Sequence, residues 1–244
     1  MIKKFTIIIL SIFDIIYQKK IINFFKNQKN QLDVIVDVGA HKGETVNLFL
    51  KNFNPKKIIS FEASKINFQY LLNKIHILKK KYPNTDLIVE NKALGEKNEL
   101  KEFKQMKESS SSTFAKINLD SSYLKKKKFF LGIKKNKDLF DTKKIQIMTL
   151  SDYFKVNDLR SIDLLKIDTE GFEFEILKGA DNEIKNCNLI LFEHHYDNMI
   201  KKTYTFTDIN NFLVSKNFKL EFKSKMPFRK TFEYIYKNQN QLNK

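Results

Sequence analysis

The sequence has little cysteine, proline or glycine and no tryptophan. Its 244 residues include one cysteine, Cys187, with three prolines and six glycines. A single cysteine excludes a disulfide bond within the chain and a zinc site built from several cysteines. Disulfides are typical of oxidising compartments, so this scarcity predicts a reducing one, the cytoplasm. The many lysines, asparagines and isoleucines indicate a compositional bias.

A hydrophobic run long enough to span a membrane is also missing. Residues 5–17 are mostly apolar, but Asp14 interrupts them. A spanning helix needs about 20 apolar residues, and no small-residue cleavage site follows. Because apolar residues then recur between lysines, we expect residues 1–31 to form an amphipathic helical segment. Its apolar face packs on the domain or makes peripheral contact with a membrane.

The chain carries a net charge of +17, yet it lacks a basic stripe interleaved with aromatic residues. Positive charge attracts phosphate groups, but here the lysines are spread along the whole sequence. We therefore expect no nucleic-acid partner. A non-catalytic basic module that binds nucleotides or membranes is kept as an alternative.

From Asp33 onward, short β-rich runs alternate with helical stretches. This alternation is typical of βαβ units around a mostly parallel sheet. We expect a Rossmann-like α/β fold over residues 32–240, with a twisted sheet, helices on both faces and an antiparallel C-terminal hairpin formed by residues 218–222 and 231–236. This layout is typical of class I methyltransferases.

Residues 99–146 interrupt the alternation, because they are polar, rich in lysine and contain a run of serines. We interpret them as an insertion within the domain. A stretch of this length without clear periodicity is more often a functional lid or binding loop than a plain connection. Its two ends, residues 99–103 and 145–148, are expected to pair as extra strands.

The segment DVGAHKGE, residues 37–44, lies where the first predicted strand turns into the first helix. Glycines there let the backbone approach a ligand, and the free N–H groups of the helix N-terminus favour an anionic group. The spacing D-x-G-x-x-x-G differs from the G-x-G-x-x-G of dinucleotide binders. It therefore favours a smaller nucleoside ligand over a pyrophosphate.

Glu62 ends the second predicted strand, 23 residues after Gly39. An acidic side chain at that place can accept hydrogen bonds from both ribose hydroxyls of a bound nucleoside. The exit of the third strand, residues 91–95, is placed to flank the adenine. A nicotinamide-dependent oxidoreductase needs the same two features and is kept as an alternative, although the loop spacing and the C-terminal hairpin argue against it.

Asp168, Glu170 and Glu173 place three carboxylates where the central strand ends. They either cap the following helix or supply a base beside the ligand. His194 and His195 follow the next predicted strand and reach the same edge of the sheet. Successive strand residues face opposite ways, so only one of the two histidines is expected to point into the pocket.

Several motifs together resemble the FkbM family of methyltransferases. They are DVGAHKGE, FEA, NKALG, the serine run, MTLSDYF, DLLKIDTEGFE and LFEHH, and they occur in the order of the family between residues 32 and 236. The resemblance implies S-adenosylmethionine as the cofactor and hydroxyl groups of sugars or natural products as acceptors. The residues that it assigns to the cofactor pocket are Asp37, Gly39, His41, Gly43, Glu62, Ala63, Ala93 and Ser110.

The predicted function is therefore O-methylation of a small-molecule or glycan acceptor. We expect Asp168, Glu170 and His194 to activate the hydroxyl, with His194 chosen from its position in the family. A carboxylate or neutral imidazole can remove the hydroxyl proton, so no metal is expected. A divalent ion held by these carboxylates and His194 is the alternative.

Overall fold

A computed structural model describes residues 17–28, 31–107, 110–133, 135–227 and 229–241. Most of the apolar run predicted at residues 5–17 thus lies outside the described residues. The helices are residues 17–27 (α1), Glu44–Phe53 (α2), Lys65–Lys81 (α3), Ser122–Leu131 (α4), Leu150–Val156 (α5), Glu173–Gly179 (α6) and Phe206–Ser215 (α7). The strands are Val34–Val38 (β1), Lys57–Phe61 (β2), Asp86–Glu90 (β3), Ala93–Leu94 (β4), Glu99–Met106 (β5), Lys116–Ile117 (β6), Phe140–Met148 (β7), Ile162–Ile167 (β8), Cys187–His195 (β9), Ile200–Lys201 (β10), Phe218–Lys225 (β11) and Thr231–Asn238 (β12).

Seven of these strands form the central sheet, in the order β11-β12-β9-β8-β1-β2-β3. The five strands from β9 to β3 run parallel to one another. Strand β12 pairs antiparallel with both β9 and β11, which closes the sheet with a hairpin. The predicted fold class, a mostly parallel sheet with a C-terminal antiparallel hairpin, is confirmed.

Helices cover both faces of the sheet, as predicted. On one face, α1, α2 and α3 bury an apolar cluster that includes Phe25, Phe49 and Leu71. On the other face, α5, α6 and α7 bury a second cluster that includes Tyr153 and Ile209. Strands covered on both sides are uniformly apolar rather than alternating, which explains why runs such as VIVDV and KIISF indicated buried strands.

Helix α1 packs on the domain. Its residues Ile21, Ile22 and Phe25 are buried, and the Phe25 ring centroid lies 6.2 Å from that of Phe49 on α2. This is the first of the two arrangements considered for the N-terminal segment. In the part of the chain that the structure describes, none of the helices is long and apolar enough to cross a membrane.

The predicted insertion contains ordered structure of its own. Strands β5 and β7 pair antiparallel from Glu99 opposite Ile147 to Met106 opposite Phe140. The predicted pairing of the two ends of the insertion is thus confirmed, and it extends further than expected. Helix α4 was missed, because its run of four lysines hides the apolar pattern around the buried Leu124.

Strand β9 is also longer than predicted. Its antiparallel pairing with β12 continues to His195, which lies opposite Thr231. His194 and His195 are therefore part of the strand and do not follow it. Their side chains consequently point to opposite faces of the sheet.

Candidate active site

The loop after β1 meets the loop after β8 at Gly39. A Cβ atom on Gly39 would lie 1.9 Å from the carbonyl oxygen of Asp168, and Gly39 has a φ of +83°. Only glycine satisfies both the close approach and the left-handed backbone. The two loops that carry the predicted cofactor and catalytic residues are therefore in direct contact.

Both carboxylate oxygens of Glu62 accept hydrogen bonds from the backbone. Its Oε2 accepts a hydrogen bond of 2.8 Å from the backbone N–H of His41, and its Oε1 accepts one of 2.8 Å from that of Ser64. Burial raises the pKa of Glu62 to about 7, although these backbone N–H groups act in the opposite direction. The carboxyl group thus has a fixed orientation at the end of β2.

A cleft opens above the C-terminal ends of the central strands. Most of the residues that the sequence predicted for the site line it. They are Gly39, His41, Glu62, Ala63, Ala93, Ser110, Asp168 and Glu170. The structure therefore brings six of the eight predicted cofactor residues and two of the three predicted catalytic residues to one place.

Aromatic side chains that the sequence analysis did not select form another wall of this cleft. Phe103 and Phe114 come from the insertion, and their ring centroids are 4.8 Å apart. Phe114 in turn lies 5.0 Å from Phe172, in the loop after β8. The insertion thus contributes directly to the cleft. In the sequence, the signal for this aromatic wall was the presence of isolated phenylalanines within the polar insertion.

Two predicted cofactor residues, Asp37 and Gly43, are not among those that line the cleft. Asp37 is fully buried on the opposite face of β1 from Val38, because side chains alternate along a strand. Gly43 is the N-cap of α2, with a φ of 82° and Leu71 beside it. Both residues shape the loop without lining the cleft.

Asp37 has a partner that the sequence analysis missed, the buried Lys166. The Lys166 Nζ lies 3.1 Å from Asp37 Oδ1 and 3.5 Å from Asp168 Oδ2. Burial alone would lower the pKa of Lys166, but the two carboxylates raise it above its usual value. A lysine within the otherwise apolar strand LLKI was the signal for this ion pair.

Glu173 has a structural role in the loop after β8. Its Oε1 accepts hydrogen bonds from the backbone N–H groups of Thr169 and Gly171, at 3.1 and 2.9 Å. Glu170 adopts a left-handed φ of 54°, and Thr113 of the insertion donates a 2.7 Å hydrogen bond to its carbonyl oxygen. These contacts place Glu170 at the cleft.

His195, rather than His194, contacts the predicted catalytic loop. Its Nε2 lies 3.2 Å from Oε2 of Glu170 and 2.9 Å from Oε1 of Glu193. His194 faces the other side of the sheet, with its ring centroid 4.9 Å from that of Tyr196. The prediction of His194 had rested on family position and not on the face of the strand.

The two histidines differ in charge as well as in position. Burial would lower the pKa of His195, but Glu170, Asp197 and Glu193 raise it well above the usual value, so the ring is a cation at neutral pH. Burial, helped by the charge of Lys202, lowers the pKa of His194 to about 3. Burial raises the pKa of Glu170 to about 7, against the charge of His195.

A metal site is not apparent in the described ranges, where no group of three or more His, Cys, Asp or Glu side chains is arranged to hold an ion. The arrangement can instead bind a nucleoside at Glu62 and accept a proton at Glu170.

A model of the methyltransferase FkbM domain matches residues 37–220. The chain belongs to the FkbM methyltransferase family. The family match confirms the resemblance seen in the motifs, and it favours a methyltransferase over the nicotinamide-dependent alternative. No curated protein matches the chain significantly.

Two solved structures share the fold of this FkbM domain. Methyltransferase FkbM from Methylobacillus flagellatus KT has a TM-score of 0.54 at 17% identity, over 84% of this chain and 44% of that one. Magnesium protoporphyrin IX methyltransferase from Synechocystis PCC 6803, solved with bound S-adenosylmethionine, has a TM-score of 0.51 at 7% identity, over 91% and 77%. The chain thus spans less than half the length of the first structure.

Proposed function

We propose that the chain transfers a methyl group from S-adenosylmethionine to a hydroxyl oxygen of a small molecule, such as a sugar, a glycan or another natural product. One observation carries the proposal. Glu62, at the end of β2, and the pair Asp168 and Glu170, after β8, line the same cleft. A carboxylate that can bind a nucleoside and a carboxylate that can accept a proton thus lie side by side.

The residues beside β1 and β2 fit the cofactor. Each carboxylate oxygen of Glu62 accepts one backbone hydrogen bond and keeps a lone pair for a ribose hydroxyl. Gly39 keeps the backbone close to the cleft, and the small side chains of Ala63 and Ala93 leave room for the adenine. When bound, the cofactor supplies an electrophilic methyl group on a sulfonium sulfur.

Glu170 acts as the base in this proposal. As the C–O bond forms and the C–S bond breaks, the hydroxyl proton passes to the Glu170 carboxylate. A pKa of about 7 leaves this group partly ionised at neutral pH and still basic enough to take the proton. Asp168 lies beside Glu170 at the same edge of the cleft. His195 compensates the negative charge around Glu170 and fixes its position.

A small neutral or cationic acceptor suits this edge better than a nucleic acid. Asp168, Glu170 and Glu193 are grouped there, and carboxylates repel the phosphate backbone on which nucleic-acid affinity depends. The absence of a nucleic-acid partner, a cytoplasmic location and peripheral membrane contact through the N-terminal segment stay predictions from the sequence.

The proposal is tested by measuring cofactor binding and methyl transfer separately. S-adenosylmethionine should bind in isothermal titration, and label from its methyl group should appear as an O-methyl ether in product from a cell extract. Glu170→Gln should lower turnover by about 10²–10⁴-fold while cofactor affinity changes little. The control is Glu102→Gln, on an exposed side chain of β5. Equal losses of binding and turnover, or a product methylated on nitrogen, would contradict the proposal.

A further inference from the structure

The outward face of α3 carries apolar side chains that the core does not cover. Ile66, Tyr70 and Ile77 are 50%, 56% and 63% exposed. They are separated by four and seven residues, which correspond to about one and two helical turns, so they lie in one line along the helix. We call this line the α3 stripe. Single exposed apolar residues are normal, but an aligned set with polar residues around it is typical of a contact surface.

The α3 stripe is separate from the face of the helix that packs on the sheet. That inner face consists of Leu71, Ile75 and Leu78, which are buried in the cluster that α1, α2 and α3 form with the sheet. The stripe residues are not part of the cofactor cleft either. Packing within the domain requires one apolar face, and α3 has two. The second face is therefore available to a partner.

Positive charge surrounds the α3 stripe. Helix α3 contains five lysines and no acidic residue. Lys80 and Lys81 are exposed and follow Ile77 by three and four residues, so they lie one turn beyond it, on either side of the stripe. The Nζ of Lys42 lies 5.1 Å from the centre of the Tyr70 ring. An apolar line with lysines around it is complementary to a surface that is anionic outside and apolar beneath.

We propose that the α3 stripe docks the chain on an anionic lipid bilayer. Helix α3 then lies in the plane of the bilayer, with Ile66, Tyr70 and Ile77 at the boundary between headgroups and acyl chains. The flexible stems of Lys80 and Lys81 let their ammonium groups reach the headgroup phosphates. This inference is independent of which atom the enzyme methylates.

Charge favours a lipid surface over a second copy of the chain. In a symmetric dimer formed through this face, lysines of the two copies would meet, and like charges at close range are unfavourable. A nucleic acid would compensate the lysines through its phosphates, but it would leave the aliphatic side chains of Ile66 and Ile77 in water. An anionic bilayer accommodates both kinds of side chain.

The docked face adjoins the cofactor cleft. Asn67, the neighbour of Ile66 in the chain, lines the cleft, and so does His41, the neighbour of Lys42. Docking through α3 therefore places the cleft beside the bilayer. Substitutions in the stripe leave the residues of the cleft unchanged, so docking and catalysis can be measured separately.

The first test measures co-sedimentation of the full chain with vesicles. Vesicles of phosphatidylglycerol and phosphatidylcholine should bind the chain at low salt, vesicles of phosphatidylcholine alone should not, and salt should weaken the binding. The double variant Ile66→Ser/Ile77→Ser removes the apolar contact and should weaken binding by at least about 10-fold. The double variant Lys80→Gln/Lys81→Gln removes two cations and should weaken it by a similar factor of about 10.

Matched controls come from the sheet of the insertion. Leu100 on β5 is 61% exposed, and Lys143 and Lys144 on β7 are exposed. Leu100→Ser and the double variant Lys143→Gln/Lys144→Gln change the same kinds of side chain elsewhere, so they should bind the vesicles like the parent. The lysine control lowers the net charge as much as the α3 variant does, and it thus separates docking through α3 from attraction by the whole chain. Circular dichroism shows whether each variant folds.

A tryptophan reports insertion directly, because the chain has none of its own. In Ile77→Trp, anionic vesicles should shift the emission to shorter wavelength, and brominated lipids should quench it. In Leu100→Trp, neither effect should occur.

No binding to anionic vesicles would overturn the proposal, as would binding that persists in the α3 variants or falls equally in the controls. Emission from Ile77→Trp that vesicles leave unchanged would also contradict it. If vesicles do not bind, but binding of single-stranded RNA or dimer formation in analytical ultracentrifugation is lost in the α3 variants, the stripe belongs to that partner and not to a bilayer.

Discussion

The imidazole of His195 lies 3.2 Å from the carboxylate of Glu170, and this contact ties strand β9 to the loop after β8. The contact depends on the face of the strand, since the neighbouring His194 points to the other side. A protonated ring at this place lowers the pKa of Glu170, while burial raises it. The two effects together keep the pKa of Glu170 close to neutral pH, where a general base works best.

Replacing His195 by Gln should therefore change the pH dependence of turnover. Without the imidazolium, the pKa of Glu170 rises above about 7, and the carboxylate becomes available only at higher pH. The acidic limb of the kcat–pH profile should move to higher pH by about one unit. His194→Gln is the control, because His194 is neutral and does not contact Glu170. An unshifted limb in His195→Gln would rule out this positioning role.

Affinity for S-adenosylmethionine should fall as the pH drops below about 7. The pKa of Glu62 is raised to about 7, so acid converts the carboxylate to a carboxyl group that has lost part of its acceptor capacity. Glu62→Gln should weaken binding by about 10- to 100-fold and flatten its pH dependence. Isothermal titration from about pH 5.5 to pH 8.5 measures both effects.

The matched control for Glu62 is Asp86→Asn, an exposed carboxylate at the start of β3, far from the strand ends that form the cleft. It should leave both the affinity and its pH dependence unchanged. A folded Glu62→Gln variant that binds the cofactor like the parent would refute the ribose contact.

Gly39→Ala should disrupt the site, whereas Gly132→Ala should not. Both glycines have a positive φ, 83° and 71°, but only at Gly39 would the new Cβ meet a backbone atom, 1.9 Å from the Asp168 carbonyl oxygen. Nothing lies within 4 Å of a Cβ at Gly132. A left-handed backbone alone costs a non-glycine residue about 1–2 kcal/mol of stability. Because the clash adds to this cost, Gly39→Ala should lose more stability than Gly132→Ala and should abolish cofactor binding. Urea unfolding and isothermal titration check the two effects, and equal losses for both variants would contradict the clash.

The cofactor side of the site could be predicted from the sequence, because it depends on local order. A buried strand, a glycine loop and an acidic residue at the end of the next strand place Gly39 and Glu62 together in any βαβ unit. Ala93 follows by the same reasoning from the third strand. Asp37, also predicted for the pocket, is fully buried, and alternation along β1 turns its side chain away from the cleft.

The surroundings of Glu170 could not be predicted from the sequence, because they depend on pairing between distant segments. Which histidine faces Glu170 is determined by the register of β9 against β12, and the strand was expected to end earlier. The position of Glu233 beside Asp168 and Glu193 depends on the same register. Periodicity within one segment carries no information about such contacts.

The last prediction concerns the stability of the chain and follows from Glu233. Its pKa is raised from the usual 4.5 to about 8 in the folded chain, so the folded state keeps a proton that the unfolded state releases between these values. Stability that is present below about pH 4.5 is therefore lost as the pH rises towards 8. Glu233→Gln cannot ionise, and it should stabilise the chain more at pH 8 than at pH 5.

The difference between the two pH values should exceed about 1.4 kcal/mol, the equivalent of one pKa unit. Urea unfolding at about pH 5 and pH 8 measures it, with Glu221→Gln as the control that shows no such difference. A gain in stability that is equal at both pH values would show that Glu233 is not held in a buried, charge-disfavouring site.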